Sequence, residues 1–340
     1  MNIVIQTPGS ALKIINGNFA LIVNDQQHLI PPDKVKSITV GKSASITSDA
    51  ILKAIEKEID IVFVDNLGHP QGRVWSHKYG SVSSIRIKQT EFVFSPQASQ
   101  FILQTILNKI DGNIAVLLYL KNLAPDKENQ ILRSITALND YKSKISQIKP
   151  DIITEIAHTL RGWEGIASKK YFETVAKILP PEYNFNKRGT PPATDPVNAI
   201  LNYLYGFLYS KIEAALIKAG LDPYLGIYHR NDYNRPTLVF DIIEEFRHWA
   251  DYVTFSFAMH HSIDVDTWFE IKEDGTHWLD YLGKRVVITS FNDYLSEIIT
   301  INGLPRSRDE HIHIYARQLA QNILHFDQNT NDKLQNLPNT

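Results

Sequence analysis

The 340 residues contain no cysteine. That absence excludes a disulfide framework and any zinc site built on thiolates. A metal would have to be held by carboxylate oxygen and imidazole nitrogen, a ligand set that suits magnesium, manganese or a histidine-bound zinc. Long apolar runs are missing as well, since no stretch reads as the ~20 apolar residues needed to span a bilayer. The N-terminus, MNIVIQTPGSALK, lacks the basic start and long apolar core of a signal peptide, and Thr7, Pro8 and Gly9 break its short apolar run. These absences predict a cytoplasmic protein with no membrane partner. An excess of positive charge is missing too. The formal net charge is −2, whereas nucleic-acid binding usually leaves a basic footprint. Distribution matters more than the sum, so the total neither favours nor excludes a basic groove.

What is present suits a globular chain with two cores, because 43% of the residues are hydrophobic and 21% charged. Ile3–Ile5, Leu12–Ile15, Phe19–Val23, Val35–Val40 and Ala44–Thr47 read as short strands, separated by turn signals such as Asn16-Gly17-Asn18 and Pro31-Pro32-Asp33. Ser48-Asp49 opens a helix, and Asp60–Asp65 (DIVFVD) is an apolar strand. From about Ser95 the apolar period changes to three or four, with prolines as punctuation. The expected fold is α+β. A β-rich domain over residues 1–90 precedes a larger all-α domain over 91–330 and a polar tail over 331–340. Pro180–Pro196 and Gly220–Pro236 are the main irregular stretches of the helical part, and functional groups are often mounted on such loops.

In the helix expected over Asp151–Leu179, the residues Ile156, Leu160, Trp163, Ala167, Tyr171 and Ile178 share one face. Glu164 falls roughly 40° from the centre of that apolar stripe, at ~100° per residue. A carboxylate aimed at a core is costly unless it is paired, protonated or bound to metal. An ion pair with an arginine or a wetter stripe edge accounts for it equally well. Gly162 and Gly165 flank it, each costing up to ~1 kcal/mol in a helix interior relative to alanine. Close approach of a backbone or a ligand would explain both.

Gly226–His229 and Thr237–Phe240 are β-compatible runs around the turn-rich segment Arg230–Pro236, so a hairpin is expected to return His229 to the start of the next helix. That helix, expected over Asp241–His261, carries Asp241, Glu244, His248 and Asp251 on the side opposite its apolar residues. A solvated polar face is the plainer account of that stripe, an N-cap the plainer account of Asp241, and a loop hydrogen bond the plainer account of His229. The functional account is a cluster of Glu164, His229 and Glu244 suited to Mg²⁺ or Mn²⁺ and to phosphodiester chemistry. His260-His261 and His311-x-His313 project in different directions and are assigned to surface or core roles. Arg73, Trp75 and Tyr79, near the domain junction, are assigned to packing.

Four blocks in order carry a resemblance: LRGWEG (Leu160–Gly165), NFNKRGTPPATDPVNAILNYLYGFLY (Asn184–Tyr209), AGLDPYLGIYH (Ala219–His229) and RPTLVFDIIEEFR (Arg235–Arg247). Together they cover Leu160 to Arg247 almost continuously. The chain thereby resembles the CRISPR-associated adaptation integrases and endonucleases, the spacer-acquisition nucleases. The resemblance implies a β-rich dimerisation domain joined to a helical catalytic domain, a homodimer, and assembly with a small ferredoxin-like adaptation partner around double-stranded and branched DNA. It implies metal ligation by Glu164, His229 and Glu244 with Asp241 as a catalytic support, and Mg²⁺ or Mn²⁺ as cofactor. The reaction it implies is attack of a DNA 3′-hydroxyl on a phosphodiester, which inserts a new spacer into a CRISPR array, with DNA cleavage when water replaces the hydroxyl. Lys187, Arg188 and Arg230, with Arg235 and Arg247, are the expected phosphate contacts, unless they are surface charges or partners of Asp241 or Glu244. Two positions depart from the pattern. The basic pair is Lys187-Arg188 rather than two arginines, and His248 stands where proline is common. The rival readings are a noncatalytic DNA-binding scaffold and an RNA or small-substrate phosphodiesterase.

Overall fold

The computed structural model of the protein describes residues 1–65, 70–74, 83–229 and 235–326. Two four-stranded sheets build the first part. One runs β1 (Asn2–Ile5), β5 (Ser37–Gly41), β7 (Asp60–Val64), β8 (Pro70–Arg73), with β1, β5 and β7 parallel and β8 antiparallel. The other runs β4 (Gln26–Ile30), β3 (Asn18–Val23), β2 (Ala11–Ile15), β6 (Ser45–Ile46). Alternate strand residues, among them Ile3, Ile5, Leu12, Ile38, Val40 and Ile61, bury against Ala50 and Ala54 of α1 (Ser48–Glu56). Thr47 caps α1, its Oγ1 accepting from the Ala50 amide at 3.4 Å, so the cap stands one residue before the expected opener.

Strand β4 was not among the expected strands, because QQHLI has neither alternation nor β-branched density at its start. It exists through its turn. Asn24 and Asp25 both have positive φ, 49° and 61°, the two-residue geometry that folds a strand straight back. As an edge strand it buries little and needs no apolar residues.

The second part is mostly helical: α2 (Ser83–Val93), α3 (Pro96–Leu123), α4 (Glu128–Ser146), α5 (Ile153–Ala176), α6 (Pro196–Lys218), α7 (Thr237–Ile243), α8 (Arg247–Met259), α9 (Val265–Trp268), α10 (Tyr281–Ser296) and α11 (Arg308–Leu324). Two short hairpins sit among the later helices, β9 (Phe269–Ile271) with β10 (His277–Leu279) and β11 (Ile298–Ile301) with β12 (Leu304–Ser307). The α+β class therefore holds. The two parts have separate cores, one ending at Val74 and the other starting at Ile85. Helix α3 is long and apolar enough to cross a membrane by length and composition, but 50% of that window is buried in the core, where it packs on α4, α5 and α8.

Arg73 ties the parts together. Its Nη2 donates to the Ser210 carbonyl at 2.8 Å and lies 3.3 Å from Glu213 on α6, and its Nη1 lies 3.6 Å from Asp60 on β7. The packing role expected of Arg73 is thus realised, whereas Trp75 and Tyr79 lie outside the described residues.

Candidate metal centre

The hairpin expected around residues 226–240 does not form. Thr237–Ile243 is helix α7, started by Pro236 at its N-cap, and no strand covers Gly226–His229. The 226–229 segment satisfies its amides on a side chain instead of a strand. Asp241 accepts from the Ile227 amide at 2.6 Å, the Tyr228 amide at 3.1 Å and the His229 amide at 3.1 Å. Gly226 allows this approach, because a Cβ there would stand 2.6 Å from Thr237 Oγ1. Asp241 is fully buried and acts as the organiser of the loop, not as an N-cap. The expected proximity of His229 to the start of the next helix is reached by this different route.

Nor is Asp241–His261 one helix. The chain turns at Glu244–Phe246 between α7 and α8. The supposed solvated face is buried, with Asp241 1%, Glu244 5% and Asp251 2% exposed. Asp251 accepts from Tyr171 Oη at 2.9 Å and Tyr205 Oη at 2.5 Å. Burial lifts its carboxyl to about 6 against the lowering effect of those two bonds. His248 packs against Gly112 of α3, whose absent Cβ would meet the imidazole at 2.5 Å. Burial, with Arg308 nearby, pushes that imidazole down to about 4.

Two of the expected ligands converge on one cation. Lys109 Nζ of α3 donates to Glu164 Oε1 at 2.6 Å and stands 2.8 Å from Glu244 Oε2. Glu164 is thus aimed inward, as helix geometry predicted, though its partner is a lysine and not an arginine. Its Oε2 accepts from Tyr228 Oη at 3.0 Å. Glu244 Oε1 lies 2.9 Å from Arg247 Nε, the pairing foreseen as one alternative for Arg247. Burial opposes ionisation of Glu244, but Arg247 and then Lys109 outweigh it and bring the carboxyl down to about 2. Burial also opposes the charge on Lys109, yet Glu244 and Glu164 leave its pKa raised.

His229 stands beside this pair. Its Nδ1 is 2.8 Å from Asp241 Oδ1, and a carboxylate acceptor there calls for Nδ1–H. That tautomer leaves the Nε2 lone pair for a ligand. Burial depresses the imidazolium, but the Asp241 hydrogen bond and charge, with Glu244 and Glu164 behind them, raise its pKa overall.

The donor chemistry of Glu164, Glu244 and His229, two carboxylates and one imidazole, fits a hard divalent ion. A second observation agrees. Glu244 Oε2 is buried and, despite its ion-pair distance to Lys109, has no aligned hydrogen-bond donor among the described residues. The geometry as it stands is not a finished cage, however. Among the described residues no three His, Asp or Glu side chains form a group able to hold a metal. Lys109 occupies the position between the carboxylates.

Gly162 and Gly165 face open space, with nothing within 4 Å of either added Cβ. Close backbone approach is therefore not their reason, and the face of helix α5 that the two glycines share, turned away from the Glu164 carboxylate, is left bare. Lys187 is exposed. Arg188 is not free in the same way: it donates to Asn198 Oδ1 at 2.8 Å and Asn202 Oδ1 at 2.6 Å and lies over the Tyr205 ring. Arg230 lies outside the described residues. His260 and His261 are exposed, and His311 is buried against the Ile299 carbonyl, as assigned. Lys109 and Tyr228 escaped sequence reasoning, although Lys109 carried the same signal as Glu164. It lies three residues from buried Ile106 and Gly112 and four from Thr105.

The family model described as CRISPR associated protein Cas1 matches residues 3–293. The chain is 30% identical over 260 residues to the CRISPR-associated endonuclease Cas1 1 of Archaeoglobus fulgidus, covering 73% of this chain and 74% of that one. Among solved structures, a casposase bound to integration product superimposes with a TM-score of 0.76 at 20% identity, over 95% of this chain and 90% of that one. A chain of a Cas6-RT-Cas1–Cas2 complex superimposes with a TM-score of 0.75 at 22% identity over 95% of this chain, which spans only 35% of that longer polypeptide. These structures share the fold. With the family model spanning most of its length and a relative aligned over nearly three quarters of it, the chain belongs to the Cas1 family of CRISPR-associated proteins.

Proposed function

We propose that this protein is a divalent-metal-dependent DNA endonuclease and integrase that inserts new spacers into a CRISPR array. The reading rests on family membership, on the named endonuclease relative and on the fold shared with a casposase bound to integration product. The single observation that carries the chemistry is the convergence of Glu164 and Glu244 on one cation beside an imidazole already oriented by Asp241.

Glu164, Glu244 and His229 Nε2 would hold Mg²⁺ or Mn²⁺. When bound, such an ion neutralises charge on a phosphodiester and acidifies a water or hydroxyl nucleophile. Asp241 fixes the His229 tautomer and, through three amides, the loop that carries it. Tyr228 orients Glu164 through its Oε2. Gly162 and Gly165 leave the helix surface open to a DNA backbone. Lys187 supplies a phosphate contact, and Arg188 holds the proline-rich loop that presents it; Arg230 is a further contact on the strength of the resemblance. In integration, a DNA 3′-oxygen bonds to phosphorus as the bond to the displaced strand oxygen breaks. The proton lost by the attacker is balanced by the one gained by the leaving oxygen. The working unit is a homodimer closed through the β-rich domain and assembled with a small ferredoxin-like partner of the Cas2 kind on double-stranded and branched DNA.

The test is cleavage and strand joining on branched DNA with Mn²⁺, Mg²⁺ or EDTA. Chelation and Glu164→Ala should each abolish both reactions. A rival reading draws on Lys109, which already neutralises both carboxylates: the cluster would be a buried polar network in a noncatalytic DNA-binding scaffold. Activity that survives EDTA or Glu164→Ala would remove the metal mechanism. Tight DNA binding with no turnover in any metal would favour the scaffold.

A further inference from the structure

We propose that Lys109 is a built-in counter-cation of this centre, which a divalent ion must displace in order to bind, so that Lys109 sets the metal affinity of the site. The inference rests on the metal reading above but concerns a residue outside the ligand set.

Three observations carry it. The Lys109 ammonium lies within 2.8 Å of oxygens on both Glu164 and Glu244, the two carboxylates that would take the metal. A +1 ammonium on those oxygens competes with a +2 ion for the same two carboxylates, because like charges at close range in a weakly screened site repel strongly. Second, the two contacts are unequal. The one to Glu164 is an aligned hydrogen bond, whereas Glu244 Oε2 is without an aligned donor among the described residues. The ammonium is thus held by an aligned hydrogen bond on the Glu164 side and by an ion-pair contact on the Glu244 side.

Third, the backbone under Lys109 is pinned, so exchange is a side-chain event. Asn108 donates to Glu245 Oε1 and Oε2 at 3.0 and 3.1 Å. Gly112, one turn on, lies so close to His248 that no Cβ would fit. Helix α3 is thus fixed against the Glu244 turn on both sides of Lys109, and the flexible four-carbon stem is the part free to swing. In the absence of metal the lysine offsets the charge of the two neighbouring carboxylates, adding to the Arg247 contact of Glu244 and the Tyr228 bond of Glu164. With metal present, the same residue is a competitor.

The experiment is isothermal titration of Mn²⁺ into the full chain as wild type, Lys109→Met and Lys109→Gln, with thermal melts of each in EDTA and in Mn²⁺. Lys109→Gln keeps a hydrogen-bond donor for the carboxylates without the charge, and guards against a misfolded Lys109→Met. The proposal expects Mn²⁺ affinity to rise by about tenfold or more in both variants. It expects metal-free melting to fall and Mn²⁺ to restore it, and the gained affinity to vanish when Glu164→Gln is added. Glu164-dependent Mn²⁺ binding with an unchanged or weaker Kd in the variants would overturn the role of Lys109 and leave the metal site standing. No Glu164-dependent Mn²⁺ binding in any protein would remove the metal site, and this inference with it. A merely structural salt bridge would lower the melting temperature and leave the Kd unmoved.

Discussion

Asp241 grips His229 twice through one atom: Oδ1 accepts the His229 amide at 3.1 Å and lies 2.8 Å from its Nδ1. Backbone and imidazole are thereby set together, so loop shape and ring tautomer cannot be varied separately. Asp241→Asn places an amide NH₂ where backbone N–H groups now donate. It should cost about 1–3 kcal/mol, the penalty for unsatisfied buried donors, together with loss of DNA cleavage. His229→Ala removes a ring whose side chain is 39% exposed, and should cost less than about 1 kcal/mol while abolishing cleavage and leaving the proposed dimer intact. Urea unfolding, light scattering and a nicking assay read the three effects. A monomeric or unfolded His229→Ala would make the histidine structural.

Gly162 and Gly165 offer a trade between stability and function. Each borders open space, so alanine should stabilise helix α5 by up to about 1 kcal/mol per site. If DNA lies on that bare surface, the same changes, and more strongly Gly165→Leu, should weaken binding in a mobility-shift assay. A variant that melts higher and binds DNA as well as wild type would clear this surface of any role.

Lys187 and Arg188 are adjacent but should respond differently. Lys187→Ala should leave stability within about 0.5 kcal/mol and lower the salt slope of DNA binding by about 1. Arg188→Ala strips donors from Asn198 and Asn202. It should cost about 1–3 kcal/mol and loosen the proline-rich loop. Equal effects of the two on the salt slope, with no stability loss, would make Arg188 a second phosphate contact.

Two buried groups oppose each other in the pH dependence of folding. Asp251, raised to about 6 when folded, contributes stability that is present below its unfolded value of about 3.9 and is lost as pH climbs through 6. His248, lowered to about 4, contributes stability present above its unfolded value of about 6.5 and lost as pH falls through 4. Each amounts to about 3 kcal/mol by the usual conversion, and over roughly pH 4 to 6 they cancel. Asp251→Asn should therefore turn a flat profile into one that rises with pH. Parallel profiles for variant and wild type would show that Asp251 does not titrate in this window.

Much of the fold was readable because it follows from periodicity: the short strands of the first part and the long amphipathic helices of the second lie close to where apolar spacing places them. Glu164 was readable for the same reason, as a carboxylate on an apolar stripe. Glu244 was not. An unbroken helix over Asp241–His261 puts it on a polar face, whereas it closes the short helix α7, which is buried on nearly every side. The hairpin failed because Thr237, Val239 and Phe240 suit a strand as well as a helix. What decides between them is Asp241, whose carboxylate takes the amides that a partner strand would have taken. Lys109 was legible in principle, since it breaks the buried face of α3 as Glu164 breaks that of α5. Its meaning comes only from the packing of α3, α5 and α7, which spacing within one helix cannot report.

Helix α6 is shared more widely than any single contact suggests. Ser210 and Glu213 receive Arg73 from the β-rich part. Further along the same rod, Tyr205 bonds Asp251 and lies under Arg247, and Asn198 and Asn202 hold Arg188. The rod is thus an axle with the sheets geared to one end and the proline-rich loop and the arginine of Glu244 to the other. A torque applied to the sheets reaches that end through one continuous stretch of hydrogen-bonded backbone, with no flexible joint along Pro196–Lys218 to absorb it.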